Sequence, residues 1–168
     1  MREISVGILI VSDRSARGER IDKCGPILAE LARAKDWSVV ETAVIADEHP
    51  GIVSRLKEWC DRGKPLDLIL TSGGTGLGPR DVTPEATRAV LDREIPGLSE
   101  RIRREGEAKT PMAVLSRGVC GQRGKTLVLN LPGSPKGAAE SFECVAGLIP
   151  HALDIMRGAD HAPPRKTP

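Results

Sequence analysis

The sequence predicts an α/β fold in which a mainly parallel central sheet is covered by helices on both faces. Four short runs rich in β-branched residues alternate with segments whose apolar residues recur at helical spacing, and this alternation is typical of parallel sheets. The 168 residues suffice for one core, because a chain of this size buries about 70% of its unfolded surface. We therefore expect one domain over residues 1–158 and a disordered, proline-rich tail over residues 159–168.

The predicted strands are 4–11, 38–45, 66–70 and 126–131. Their apolarity is nearly continuous, as in strands buried on both faces. Three helices are predicted at 26–35, 49–62 and 151–157. Two more are predicted by their starts, one with Thr83 as its N-cap and one that opens at Ser134 and Pro135. The 49–62 segment is amphipathic, because Ile52, Leu56 and Trp59 fall on one face of a helix.

The stretch from 92 to 124 is less regular. Arg101, Arg103 and Arg104 are interspersed with glutamates, a pattern that favours a solvated helix face over the alternative of a phosphate-binding surface. Residues 111–115 predict a further helix, and residues 117–125 predict a turn-rich hairpin that leads into the last strand.

Composition excludes several classes of function. The net charge is +2, no run of one sign occurs, and aromatic residues make up only 2% of the chain, which disfavours a nucleic-acid partner. The four cysteines form no C-x-x-C pair, so we interpret them as small buried apolar residues. The N-terminal apolar run is too short to cross a bilayer, so we expect a cytoplasmic protein without a membrane partner.

Small or polar residues follow every predicted strand directly. They include Ser12 and Asp13 after the first strand and Asp47 after the second. In open α/β sheets, ligands bind outside the carboxyl ends of the strands, so these segments predict a site at one edge of the sheet. The alternative is that they are ordinary polar loops.

A glycine-rich loop gives the strongest local signal. Residues 71–81 read TSGGTGLGPRD, with four glycines in six positions, and glycines let backbone N–H groups approach an anion closely. The loop is not a Walker A motif, and Pro79 stands where a dinucleotide fingerprint needs its third glycine. We interpret it as a phosphate cradle, the alternative being a flexible structural loop.

A second loop, residues 130–137, joins the last strand to a helix that opens at Ser134 and Pro135. The free N–H groups of a helix N-terminus suit an anion. Lys136 lies in the first turn, where the helix dipole disfavours a cation. This placement favours a functional role for Lys136 over that of an ordinary surface lysine.

Two carboxylates, Asp47 and Asp81, follow predicted strand ends. Together they could hold a hard divalent cation that bridges phosphate groups. The structural alternative is that Asp47 caps the helix beginning near His49 and that Asp81 precedes the Thr83 cap.

With these residues assembled, the chain closely resembles the molybdopterin-binding (MoaB/Mog) domain family. The matching stretches are VGILIVSDR at 6–14, Asp47 with Glu48, TSGGTGLGPRDVTPEAT at 71–87 and LNLPGSPKGA at 129–138. The resemblance implies a three-layer α/β sandwich and a homotrimer. It also implies binding of molybdopterin and ATP, Mg²⁺-dependent transfer of AMP to the terminal phosphate of molybdopterin, release of pyrophosphate, and hand-over of the product to a molybdenum insertase.

Carried over position by position, the resemblance makes Asp47 and Asp81 the catalytic and metal-binding acids. The substrate contacts that it implies are Ser12, Asp13, Thr71, Ser72, Gly73, Gly74, Thr75, Gly76, Arg80, Pro132, Gly133, Ser134 and Lys136. Two alternatives remain: a catalytically silent molybdopterin-binding or scaffold protein, and a standalone version of the insertase or amidohydrolase relatives. The presence of both acids argues against a pure carrier, and the length argues against the longer relatives.

Overall fold

The structure is a computed structural model that describes residues 3–158. The strands are β1 Ser5–Val11, β2 Ser38–Ile45, β3 Leu68–Ser72, β4 Arg93–Glu94, β5 Cys120–Arg123 and β6 Thr126–Leu131. The helices are α1 Asp13–Ala16, α2 Cys24–Arg33, α3 His49–Asp61, α4 Thr83–Arg88, α5 Pro96–Glu107, α6 Pro135–Ala146 and α7 Ile149–Met156, with a 3-10 helix at Pro111–Leu115. The predicted tail at 159–168 lies outside the described residues.

The six strands form one mixed sheet in the order β2-β1-β3-β6-β5-β4. The first four run parallel, and β5 and β4 extend the sheet with antiparallel pairing. The predicted mainly parallel sheet is therefore confirmed. The prediction that all four major strands are buried on both faces is wrong for β2, because β2 is an edge strand on which Val40 and Val44 are exposed.

One face of the sheet packs against α2, α5, α6 and α7. Alternate residues of the central strands, such as Ile8, Leu70 and Leu129, join Leu28 and Phe142 in one buried cluster. Phe142 is fully buried and meets the ring of Trp37 edge to face, with 5.6 Å between the ring centroids. This cluster is the larger of the two halves of the core.

The opposite face packs against α3 and α4. Leu9 and Ile69 meet Ile52, Leu56 and Trp59 there, all fully buried. At Gly7 an added Cβ would lie 2.9 Å from the ring of Trp59, so the missing side chain is what lets α3 approach β1 closely. Helices thus cover both faces, and the predicted three-layer α/β class is confirmed.

Several local predictions need correction. β3 extends to Ser72, so Thr71 and Ser72 belong to the strand rather than to the glycine loop, and the short edge strand β4 was not foreseen. Thr83 is wrong as an N-cap, because α4 begins at Thr83 itself and the cap position is Val82. The buried Thr83 hydroxyl accepts no hydrogen bond from the first turn of α4. Its N–H donates to the Gly74 carbonyl, 3.1 Å away, which docks the residue against the glycine loop.

The arginines of α5 do more than face solvent. Arg101 Nε donates to the Cys144 carbonyl at 2.9 Å, and Arg103 Nη1 donates to the carbonyls of Ser116 at 3.3 Å and Gly118 at 3.0 Å. The helix predicted over residues 111–115 is a 3-10 helix. Both arginines therefore fix neighbouring backbone, which a pattern of alternating charges does not reveal.

Cysteine burial and helix length bear on two further predictions. Cys24, Cys60 and Cys120 are buried, as predicted, and Cys144 is half-buried. Burial raises the pKa of the Cys60 thiol to about 11 and that of Cys120 to about 12, so both remain protonated at neutral pH. Within residues 3–158, every helix is too short or too polar to cross a membrane.

Candidate functional site

The carboxyl ends of the parallel strands meet at one edge of the sheet, as the sequence predicted. Val11 at the end of β1 lies opposite Ile45 at the end of β2, and Ser72 at the end of β3 lies opposite Leu131 of β6. The loops that follow these strands therefore converge. Two neighbouring cavities open among them.

The larger cavity has a volume of about 500 Å³. The glycine loop and the β6–α6 loop form one side, and the C-terminal part of α5 with the 3-10 helix forms the other. Its wall is mostly apolar and includes Ile102, Met112 and Leu115, with Glu105 and Glu140 at polar positions. A space of this size is typical of a site for a small organic ligand.

The smaller cavity has a volume of about 220 Å³ and lies over the ends of β1 and β3. Ser12, Asp47, Ser72 and Gly73 line it, together with residues 20–24. Gly74, Asp81 and Gly133 line both cavities. A ligand in one cavity would thus lie next to a ligand in the other at these three residues.

Two glycines give the loop its shape. Gly73 and Gly74 have φ angles of +108° and +63°, which L side chains rarely adopt. A Cβ on Gly73 would collide with the Val11 carbonyl oxygen, and a Cβ on Gly74 would lie 3.1 Å from Asp47 Oδ1 and would also meet Thr83 Oγ1. The backbone can therefore pass close to Val11 and Asp47 because these two positions carry no side chain.

Hydrogen bonds tie the glycine loop to the β6–α6 loop. Ser72 Oγ donates to the Pro132 carbonyl at 2.8 Å, and the Gly73 N–H donates to the Leu131 carbonyl at 3.2 Å. Ser134 is the N-cap of α6, as predicted, and its Oγ accepts from the Gly137 N–H at 3.1 Å. The N-terminus of α6 is thereby held beside Gly73 and Gly74, where its dipole favours an anion.

Asp13 and Asp47 hold each other. The Asp13 N–H donates to Asp47 Oδ2 at 2.6 Å, and the Asp47 N–H donates to Asp13 Oδ1 at 3.0 Å. Arg80 Nε and Nη2 bind the two carboxylate oxygens of Asp13 at 3.0 and 2.9 Å. The structural alternative for Asp47 is wrong, because α3 has no side-chain cap and the Asp47 carboxylate is bonded to Asp13 instead.

The pKa values of Asp47 and Asp13 shift in opposite directions. Burial raises the pKa of the Asp47 carboxyl above its ordinary value; the hydrogen bond from the Asp13 backbone opposes this, and repulsion from Asp13 and Asp81 adds to it. By contrast, the hydrogen bond from Arg80 lowers the pKa of Asp13. Negative charge therefore accumulates around Asp47 without an arginine bound to that carboxylate.

The donor set fits Mg²⁺. Asp47 Oδ1 and Asp81 Oδ1 accept no hydrogen bond within residues 3–158, whereas Oδ2 of Asp81 accepts from the Gly78 N–H at 2.8 Å. The hydroxyl of Thr83 is buried, lies against Gly74 and has no partner in the same range. No cluster of three metal-binding side chains occurs among these residues, but Mg²⁺ is commonly held by one or two carboxylates together with substrate phosphates and water.

The structure brings most of the predicted site residues together. The residues that line one or both cavities are Ser12, Asp47, Ser72, Gly73, Gly74, Thr75, Gly76, Asp81, Pro132, Gly133 and Ser134. Asp13, Thr71, Arg80 and Lys136 line neither cavity. Thr71 is fully buried and its hydroxyl accepts from Asn130 Nδ2 at 2.9 Å, whereas Lys136 is exposed. Substrate contact stays a prediction for all of the predicted residues, whether or not they line a cavity.

Sequence reasoning missed one whole wall of the larger cavity. The missed wall comprises Ile102, Glu105, Gly106, Lys109, Thr110, Met112, Ala113, Leu115 and Ser116. Met112 and Leu115 are exposed apolar side chains, with 65% and 46% of their surface accessible. The apolar run after Thr110 is the signal that could have found this wall, but its sequence does not show that the segment folds back over the glycine loop.

The fold and the site define a class: an α/β protein in which a glycine loop, a helix N-terminus and two carboxylates meet at the carboxyl edge of a mainly parallel sheet. Residues 7–151 match the model of the family described as probable molybdopterin binding domain. The chain belongs to this family.

Individual relatives agree with this placement. The chain is 44% identical over 168 residues to the molybdenum cofactor synthesis protein cinnamon of Drosophila melanogaster, with 99% of this chain and 28% of that protein covered. It is 38% identical over 160 residues to a molybdopterin adenylyltransferase of Helicobacter pylori, with 94% of this chain and 90% of that enzyme covered. Among solved structures, the molybdopterin biosynthesis enzyme MoaB of Thermus thermophilus is 55% identical, with a TM-score of 0.87 and coverage of 92% of this chain and 97% of that one.

Proposed function

We propose that this protein is a molybdopterin adenylyltransferase, which transfers AMP from ATP to the terminal phosphate of molybdopterin and releases pyrophosphate in molybdenum cofactor biosynthesis. One observation carries the proposal: the two cavities meet at Gly74, Asp81 and Gly133. Two ligands that enter from the two cavities would present their phosphates to each other above the glycine loop. The name of the Helicobacter pylori relative supports molybdopterin as one ligand and the adenylyl group as the group transferred, and ATP as the adenylyl donor is part of the proposal.

The reaction requires little covalent work from side chains. A phosphate oxygen of molybdopterin attacks the α-phosphorus of ATP, a new P–O bond forms, and the bond from that phosphorus to the pyrophosphate oxygen breaks. Positioning and charge stabilisation supply most of the acceleration in such reactions. No nucleophilic side chain is needed.

The chain offers three kinds of group for this task. Backbone N–H groups of the glycine loop and the N-terminus of α6 would bind phosphate oxygens. Asp47 and Asp81 would hold Mg²⁺, which when bound neutralises charge on the phosphates. Asp13 holds the Asp47 carboxylate through its backbone N–H, at 2.6 Å, and would thereby orient Asp47.

The assembly, location and downstream partner are part of the same proposal. The protein would act as a homotrimer in the cytoplasm and would pass its product to a molybdenum insertase. Four free cysteines fit a reducing compartment, and exposed apolar side chains such as Val40 and Leu148 offer surface for subunit contacts. Light scattering tests the assembly directly, because a mass near 18.0 kDa at micromolar concentration would contradict a trimer.

The activity is tested by mixing purified protein with molybdopterin, ATP and Mg²⁺ and following pyrophosphate release. The expected result is release that depends on all three components and stops when Mg²⁺ is chelated. Tight binding of molybdopterin without pyrophosphate release from any nucleotide would support a silent carrier instead. Asp81→Asn provides the matched negative control, since the amide keeps the shape and removes the charge.

A further inference from the structure

Arg117 lies between the 3-10 helix and β5, and its contacts enclose the glycine loop. Its Nε donates to the Gly76 carbonyl at 2.7 Å and its Nη2 donates to the Asp81 carbonyl at 2.6 Å. Its backbone N–H donates to the Thr75 carbonyl at 2.9 Å. One residue therefore fixes the loop at three points, on both sides of its exposed part.

The exposed part, residues 77–80, has few other ties to the protein. Within it, the Gly78 N–H donates to Asp81 Oδ2, the Asp81 N–H donates to the Gly78 carbonyl at 3.0 Å, and Arg80 reaches Asp13. The first two contacts keep the turn closed but do not fix it relative to the sheet. Arg80 ties it to Asp13 at an exposed position, and the Arg117 side chain fixes it at the carbonyl of Asp81, the residue whose carboxylate we propose to bind the metal.

Arg117 is itself held from two directions. Both carboxylate oxygens of Glu85, in the first turn of α4, accept from its guanidinium. On the opposite side, Arg103 of α5 binds the carbonyls of Ser116 and Gly118, which flank Arg117 in the chain. A planar guanidinium can make several directed bonds at once, so the two helices together set where this side chain points.

We propose that Arg117 is a positioning residue for the transfer reaction. By binding the carbonyls of Gly76 and Asp81, it sets the position of the Asp81 carboxylate and of the loop N–H groups that face the phosphates. Glu85 and Arg103 keep its side chain and backbone in place. This inference deepens the proposed function and rests on it.

Hydrogen–deuterium exchange of residues 74–82 tests the positioning without any substrate. In Arg117→Ala, the Gly78 and Asp81 amides should exchange at least about tenfold faster than in the wild type. Arg123→Ala is the matched control. The Arg123 guanidinium binds one carboxylate, that of Asp61, and one carbonyl, that of Val90, where the Arg117 guanidinium binds one carboxylate and two carbonyls. Arg123→Ala should leave exchange at residues 74–82 unchanged.

Turnover supplies the second measurement. Arg117→Ala should lose at least about tenfold in kcat relative to Arg123→Ala at a similar thermal midpoint. Arg117→Lys keeps the charge but not the fork of donors, so its exchange and turnover should fall between those of the wild type and Arg117→Ala. If Arg117→Ala fails to fold, Arg117→Lys carries both comparisons.

Unchanged exchange at residues 74–82 in the folded Arg117 variants would overturn the inference, as would equal losses of kcat in the Arg117 and Arg123 variants. The exchange arm is independent of the proposed activity. A wild-type protein that releases no pyrophosphate would contradict the proposed function, while faster exchange in Arg117→Ala would still support the positioning of the loop.

Discussion

Two aspartates, the half-buried Asp47 and the buried Asp67, lie at opposite ends of the parallel strands and should respond oppositely to the same substitution. Asp47 lies beyond the carboxyl end of β2, where burial raises the pKa of its carboxyl and repulsion from Asp13 and Asp81 adds to the effect. Asp67 lies just before β3. Burial would raise its pKa too, but hydrogen bonds from Ser5 and Arg157 outweigh this and lower it. We expect Asp47→Asn to impair function and Asp67→Asn to impair stability.

The contacts of Asp67 set the size of the stability loss. Its Oδ1 accepts from Arg157 Nη2 at 2.6 Å, its Oδ2 accepts from the N–H and the hydroxyl of Ser5, both at 2.9 Å, and its side chain is 6% exposed. An asparagine keeps part of this set but loses the charge-assisted bonds, which contribute about 2 kcal/mol. For a domain of this size, the thermal midpoint should fall by about 4–8 °C.

The pH dependence of this contribution follows from the direction of the Asp67 shift. Because the folded-state pKa is lowered, the stabilisation is fully present above the unfolded value of about 4 and is lost as pH falls through the lower folded value. The difference in thermal midpoint between wild type and Asp67→Asn should therefore shrink below about pH 4. The charge of Asp47 has the opposite effect on stability. Because the pKa of Asp47 is raised in the folded state, its charged carboxylate destabilises the folded protein at neutral pH.

The assay combines thermal unfolding in metal-free buffer with pyrophosphate release in the presence of Mg²⁺. Asp47→Asn should keep or raise the thermal midpoint and lose at least about tenfold in turnover, which corresponds to roughly 1.4 kcal/mol of barrier. Asp67→Asn should unfold earlier and keep wild-type turnover in its folded fraction. An Asp47→Asn protein that is destabilised yet fully active would refute the assignment of Asp47 to the metal.

Three other substitutions test the rest of the site. Asp81→Asn keeps an oxygen that can accept from the Gly78 N–H, so turnover should drop at least about tenfold while the thermal midpoint stays nearly unchanged; full activity would remove Asp81 from the catalytic residues. Gly73→Ala places a Cβ against the Val11 carbonyl at a φ of +108°, so calorimetry should show that the free energy of unfolding falls by at least about 1 kcal/mol. Gly124 has a φ of +54° and open space around it, so Gly124→Ala introduces backbone strain without a clash and should lower the free energy of unfolding by less. Arg80→Ala removes the ion pair with Asp13 at a largely exposed position, so the loss of stability should stay below about 1 kcal/mol; a larger loss on denaturant titration would mean that the pair supports the fold.

The sheet could be predicted from the sequence because its strands are short, apolar and separated by helices of clear period. β1, β2 and β6 begin and end within one residue of the predicted positions. The exposure of β2 could not be predicted, because Val40 and Val44 are as apolar as the residues of the central strands and only the strand order makes β2 an edge. β4 has two residues, too few for any periodicity to register.

The site, like the sheet, could be predicted only where a local sequence pattern marks it. The glycine loop, the start of α6 and the two acids carry local signals, since each combines a turn residue with a polar group next to a strand end. The wall formed by α5 and the 3-10 helix carries only one such signal, the apolar run after Thr110. Its position over the glycine loop depends on contacts between α5 and α6 that no local pattern shows. Arg117 was missed for a related reason: its partners Gly76, Asp81 and Glu85 are 32 to 41 positions away in the chain.

The central claim is that two phosphate-bearing ligands react above the glycine loop. A single-turnover experiment with ATP labelled at the α-phosphate tests it most directly. The label should move to molybdopterin, one equivalent for each pyrophosphate released, and the transfer should be slowed by Asp47→Asn and Asp81→Asn but not by Asp67→Asn. Pyrophosphate release without label on the pterin, or molybdopterin that binds tightly and stays unlabelled, would contradict it.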